Sequence, residues 1–135
     1  MHAMADAGKL ILRLIVAGLM LFHGVSKMLR GVAWMAGPLQ AHHLPTFLAY
    51  GVFVAEVLAP VLLIIGFLTR PAAVIIAVEM CMALYLVVGP HAFALDRQTG
   101  APGGELQFFY IGASLAIAFL GSGRFAVSKG KDRWD

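Results

Sequence analysis

Residues 10–28 read LILRLIVAGLMLFHGVSKM, and the fold follows from how that stretch is read. It is close to the roughly 20 apolar residues that carry a helix across about 30 Å of hydrocarbon. It nevertheless contains Arg13, His23 and Lys27. A secretory signal peptide would have an unbroken apolar centre and a small-residue cleavage site ahead of a soluble domain. Arg13 interrupts the run and no such site follows, so the stretch is expected to stay in the membrane as a span.

Three more apolar segments lie outward from it, at about 46–68, 71–88 and 105–120. Breakers separate them: Gly37-Pro38 and Leu44-Pro45, then Thr69-Arg70-Pro71, then the GAPGG of 100–104. Composition agrees, since 61% of the 135 residues are hydrophobic and 13% charged. Soluble domains carry about 45–50% apolar and about 25% charged residues. The expected fold is all-α, a four-transmembrane-helix bundle forming one membrane domain over 1–135, with a polar, frayed tail at 124–135. Lys9, Arg70, Arg124, Lys129, Lys131 and Arg133 fall on one side of it, and Lys27, Arg30 and Arg97 on the other. That bias places both termini in the cytoplasm of a multi-pass protein. The net charge of +3 is scattered and forms no basic face, so nucleic acid is not an expected partner. Cys81 is the sole cysteine, which excludes an internal disulfide or a CxxC pair.

Charge inside the spans is the informative feature. Glu56 and Glu79 join Arg13, His23 and Lys27, and Glu105 opens the last segment. A charge at mid-membrane costs about 2.5–3.5 kcal/mol on the gentlest scale, so such groups pair or line a cavity. At 1.5 Å rise per residue, Arg13 and Glu79 come out about 5 and 12 Å deep, His23 and Glu56 near 20 Å, and Lys27 and Glu105 near the outer boundary. The level-matched pairs are Arg13 with Glu79, His23 with Glu56, and Lys27 with Glu105. Arg13 and Lys27 are close to four turns apart and share a helix face that His23 borders. Pro60 follows Glu56 by four residues and so frees the Glu56 carbonyl. These pairs serve either as glue that fixes helix register or as a proton or substrate path.

Two weaker groupings complete the inventory. His42, His43 and His91 gather toward the outer face, but adjacent loop histidines chelate one ion poorly and no carboxylate or thiolate joins them, so no metal is expected. Trp34, Tyr50, Phe93, Phe108, Phe109 and Tyr110 form an expected interfacial aromatic belt.

With these residues in view, the sequence resembles the DoxX family of small bacterial membrane proteins. The resemblance rests on Arg13 through His23-Gly24 to Lys27, on the run from Glu56 through Pro60 to Thr69-Arg70-Pro71, on 104–110 (GELQFFY) and on Gly121-Ser-Gly-Arg124. It implies a four-helix bundle in the bacterial inner membrane and a link to quinone-dependent or oxidative-stress redox systems. A quinone is then the implied cofactor and a soluble or membrane redox protein the implied partner. His23 and Glu56 would exchange protons, and Arg13, Lys27, Glu79 and Glu105 would complete the polar cluster. Two other readings stand beside this one: a non-catalytic anchor for a soluble partner, and a small proton-coupled carrier acting as a homodimer. Whether the chain is itself an enzyme stays open at this point.

Overall fold

A computed structural model describes residues 2–135. The first helix, α1 (His2–Arg30), runs eight residues ahead of the expected start because nothing in 2–9 breaks it. It ends where Gly31 adopts φ +84°, the left-handed conformation that glycine takes without strain. A single 3₁₀ turn, Ala33–Met35, and the short α2 (Ala36–Ala41) then fold back over this end of the bundle. Val32, Leu39 and Ala49 hold that cap in place, with Met35, Leu44, Phe53 and Leu86 against them.

Two long rods follow, α3 (Thr46–Ile65) and α4 (Thr69–Phe93). A tight turn with Gly66 at φ +73° joins them. After a loop, α5 (Glu105–Leu120) packs along α4. The all-helical reading holds. Three helices, α1, α3 and α4, are long and apolar enough to cross a membrane. With 16 residues, α5 rises only about 24 Å, short of a full hydrocarbon thickness.

Both rods widen just ahead of a proline. The N–H of Ala59 reaches back to the carbonyl of Val54, and that of Gly89 to Leu84, each one residue beyond α-helical spacing. Pro60 and Pro90 follow immediately, and a proline ring cannot sit against the carbonyl four residues before it. The resulting π turns are Val54–Leu58, with Glu56 at the centre, and Leu84–Val88. Such turns redirect side chains within an otherwise regular helix.

The core runs through the middle of the bundle. It contains Val16, Ala17 and Met20 of α1, Ala59 and Leu63 of α3, Ala72, Ala73, Ile76 and Met80 of α4, and Tyr110 and Ile117 of α5. Its alanines let helices approach closely, which is how association is secured where lipid removes the hydrophobic force between helices.

The tail departs from expectation. Instead of fraying, residues 121–135 fold under the α3–α4 turn. Val127 N–H donates to Ile65 O at 2.9 Å, Ser128 Oγ to Gly66 O at 3.0 Å, and Thr69 N–H to a carboxylate oxygen of Asp135 at 3.3 Å. Arg70 donates to the backbone oxygens of Asp135, Ala118 and Phe119. Polarity in this segment is spent on helix-end carbonyls, so it packs without an apolar face of its own.

Candidate functional site

The buried face of α1 is Arg13, Val16, Ala17, Met20 and Gly24, and Lys27 continues it one position set further on. Gly24 is the point of closest approach: a Cβ there would occupy the place of the Glu56 backbone carbonyl on α3. That carbonyl is the acceptor that Pro60 leaves without its helical donor, so the proline and the glycine serve one crossing.

From this crossing Lys27 meets Glu56. Lys27 Nζ donates to Glu56 Oε1 at 2.6 Å, with side-chain exposures of 20% and 1%. Glu79 of α4 shares a cavity wall with Lys27 and brings a second carboxyl to the neighbourhood of the pair. Glu56 Oε2 and Glu79 Oε2 are buried and have no hydrogen-bonding donor. One cation therefore faces two carboxyls.

Cavities flank this trio. The larger, ≈ 350 Å³, is an apolar cleft between α3 and α4 with Lys27 and Glu79 in its wall, roofed by Trp34, Met35 and Leu39 of the cap. Its remaining lining includes Leu48, Val74, Ile75, Val78 and Val87, which are exposed on the sides of the rods. A smaller space of ≈ 160 Å³ touches His23, Lys27, Glu56, Gln107 and Tyr110. His23 is exposed and meets the buried Tyr110 edge-on, ring centroids 6.1 Å apart.

The structure regroups the residues expected from sequence. Arg13 does not pair with Glu79. Its guanidinium donates to the carbonyls of Leu63 (2.8 Å), Ile64 (3.1 Å), Ser122 (2.8 Å) and Phe125 (2.9 Å), which closes the end of α3 onto the tail. Because α1 starts early, Arg13 is level with the α3–α4 turn, whereas Glu79 is ten residues into α4, about 15 Å further along. Lys27 pairs with Glu56 and not with Glu105, which is exposed at the first turn of α5. Matching Cα levels ignored the lysine stem, which spans a helical turn. His23 reaches Glu56 only across the smaller cavity.

Tyr110 belongs to this site and not to the exposed aromatic belt, and Trp34 lines the cavities as well as the rim. Sequence reasoning missed Gln107. Its signal was present, since Gln107, Tyr110 and Ser114 recur at spacings of three and four, one polar line on an apolar helix. Among the described residues no three His, Cys, Asp or Glu side chains converge as metal ligands. His42 instead packs at a tilt against Tyr85, ring centroids 4.5 Å apart.

Comparison with known proteins adds the family. An uncharacterized protein of Haemophilus influenzae is 36% identical over 118 residues, covering 86% of this chain and 84% of its own. No solved structure matches. The DoxX family pattern matches residues 8–89, a stretch that holds Arg13, His23, Gly24, Lys27, Glu56, Pro60 and Glu79. The chain is a membrane protein that belongs to the DoxX family.

Proposed function

We propose that this protein is a multi-pass inner-membrane subunit, with α5 as a fourth crossing and both ends cytoplasmic, that binds a quinone headgroup for a redox partner. One observation carries the reading: the Lys27–Glu56 pair, with Glu79 beside it, borders an apolar cleft that opens along the exposed sides of α3 and α4. A molecule that partitions into lipid and carries a polar ring fits such a place. Ligand pockets of this kind span about 300–1,000 Å³ with few, well-placed polar groups, and the cleft offers ≈ 350 Å³. Lys27 supplies a charged donor for a ring carbonyl, Trp34 an aromatic wall, and the orphaned Glu79 oxygen an acceptor for a hydroxyl once it forms.

Reduction of a quinone to a quinol takes two electrons and two protons, one proton to each ring oxygen. The electrons come from a reduced partner protein, because a lone cysteine cannot cycle as an internal disulfide. Glu79 in the cleft wall passes the protons to the ring, and the Glu56 carboxyl and His23 on the smaller cavity behind it replenish them.

Trp34 provides the test. In nanodiscs carrying a Trp134→Phe background, decylubiquinone is expected to quench Trp34 fluorescence saturably. Lys27→Met should weaken that binding by about tenfold, the worth of one charged hydrogen bond. Linear quenching, identical in Lys27→Met, would reject the quinone site and favour the anchoring reading. Purification from native membranes followed by mass spectrometry then identifies the redox partner.

A further inference from the structure

The Lys27–Glu56 pair has a second side. Opposite the apolar cleft lies the smaller cavity of ≈ 160 Å³, and its character differs. Glu56 Oε2 and Gln107 Oε1 are both buried without a hydrogen-bonding partner, and both residues border this space. Glu56 is only 1% exposed. Buried polar atoms are almost always satisfied by protein or by ordered water, and protein satisfies neither of these oxygens. His23, Lys27 and Tyr110 complete the polar lining. A water needs about 10–15 Å³ and two to four polar partners, so this cavity has room and partners for several.

The route to bulk water is short. Lys27 is one turn from the end of α1 at Arg30, and Gln107 lies in the first turn of α5. A further space of ≈ 270 Å³, lined by Lys27, Arg30, Gly31 and Trp34, sits over the end of α1. It meets the smaller cavity at Lys27 and Trp34, which also line the apolar cleft. Three spaces thus converge on these two side chains.

We propose that these two cavities form a water-filled inlet, through which the buried Glu56–Lys27 pair exchanges protons with the aqueous phase at the capped end of the bundle. Lys27 and Trp34 are its wall against the apolar cleft. Waters bridge Glu56 Oε2, Gln107 Oε1 and the Tyr110 hydroxyl, and a proton moves along them between bulk water and the Glu56 carboxyl. The inlet adds a proton route to the function proposed above, and it stands whatever ligand the cleft takes.

Cysteine labelling separates water from lipid, because only a hydrated thiol forms the reactive thiolate. In a Cys81→Ser background in nanodiscs, Gln107→Cys should react with a charged, membrane-impermeant methanethiosulfonate at least about tenfold faster than Val78→Cys on the cleft wall. Val78→Cys should react with an apolar maleimide. Met80→Cys, buried and also lining the smaller cavity, gives the same contrast if Gln107→Cys fails to assemble. Equal, slow reaction of the inlet and cleft positions with the charged reagent overturns the inlet. Decylubiquinone should protect Val78→Cys and leave Gln107→Cys untouched. Loss of that protection alone counts against the quinone site and leaves the inlet standing.

Discussion

Gly24 of α1 rests on the backbone carbonyl of Glu56 in α3, in the space its own Cβ would fill. The contact joins a residue with no side chain to an oxygen whose α-helical donor position is taken by Pro60, and it sets the distance at which Lys27 meets the Glu56 carboxylate. Gly24→Ala is therefore expected to destabilise the bundle by about 1–3 kcal/mol, the usual consequence of overfilling a close contact. Gly18, with nothing within 4 Å of its Cβ position, is the control. Gly18→Ala should be neutral or stabilising by about 0.5–1 kcal/mol, since alanine loses less chain entropy in a helix. Unfolding of both variants in mixed micelles by added SDS checks the contrast, and equal stabilities would remove the crossing argument.

Neutralising the ion pair should show an asymmetry. Lys27→Met leaves Glu56 and Glu79 together with no cation, whereas Glu56→Gln leaves Lys27 with Glu79 as its counter-charge. Breaking a buried pair costs about 3–5 kcal/mol, and Lys27 keeps 20% of its side chain exposed, so Lys27→Met belongs at the low end of that range. Glu56→Gln should cost distinctly less. The double variant should recover part of the loss, because it removes the unpaired charge along with the pair. A double-mutant cycle with the same unfolding assay measures the coupling. Purely additive effects would show that the 2.6 Å contact contributes nothing.

Outside the membrane, the loop between α4 and α5 is shaped by Asp96. Its carboxylate accepts from the backbone N–H of Thr99 (3.0 Å) and of Gln98 (2.7 Å). These bonds, Thr99 first, hold the carboxyl below its ordinary value. A depressed carboxylate stabilises its turn above the unfolded value, and that contribution is lost as pH falls through the folded value. The Thr99 and Gln98 amide resonances should therefore hold their folded shifts at neutral pH and move together on acidification, with a midpoint below the ordinary aspartate value of 3.8. A midpoint at or above 3.8 would mean that the two bonds do not persist in solution.

Much of the fold was legible because lipid punishes exposed backbone polarity, so long apolar runs have few alternatives to helices. The runs at 10–28 and 46–68 were visible in that way, and so was the α1 stripe from Arg13 to Lys27. The charged residues were equally conspicuous, since each needs a reason to be there. Their partners were not. Depth counted along Cα atoms assigns Arg13 to Glu79, but a guanidinium with five donors can serve several backbone carbonyls, and it was drawn to the end of α3. The same arithmetic gives Lys27 to Glu105, because it has no term for a flexible four-carbon stem or for the Gly24 crossing. The folded tail was hidden for a related reason. It binds through Arg13, Arg70 and backbone groups far away in sequence, and nothing in its own hydropathy announces them.

That arginine node gives the sharpest structural prediction. Arg13 is 1% exposed, and its three guanidinium nitrogens reach four carbonyls on two separate segments. A lysine ammonium keeps the charge but presents its donors from one atom, so it cannot span Leu63 and Ile64 on one side and Ser122 and Phe125 on the other. Arg13→Lys should thus behave more like a loss than a conservative exchange, destabilising by about 2–4 kcal/mol as buried carbonyls lose charged donors. The stretch that begins at Ser122 should loosen before the helices separate, since Val127 and Ser128 then hold only Ile65 and Gly66, while Thr69 and Arg70 keep just the last two residues, Trp134 and Asp135. Trypsin supplies the readout, because Lys129, Lys131 and Arg133 all lie in this segment. Cleavage there, followed by mass spectrometry, should be slow in the wild type and much faster in Arg13→Lys while the remainder of the chain stays intact. Equal cleavage rates would mean that the tail is held without Arg13, and would assign the guanidinium to the end of α3 alone.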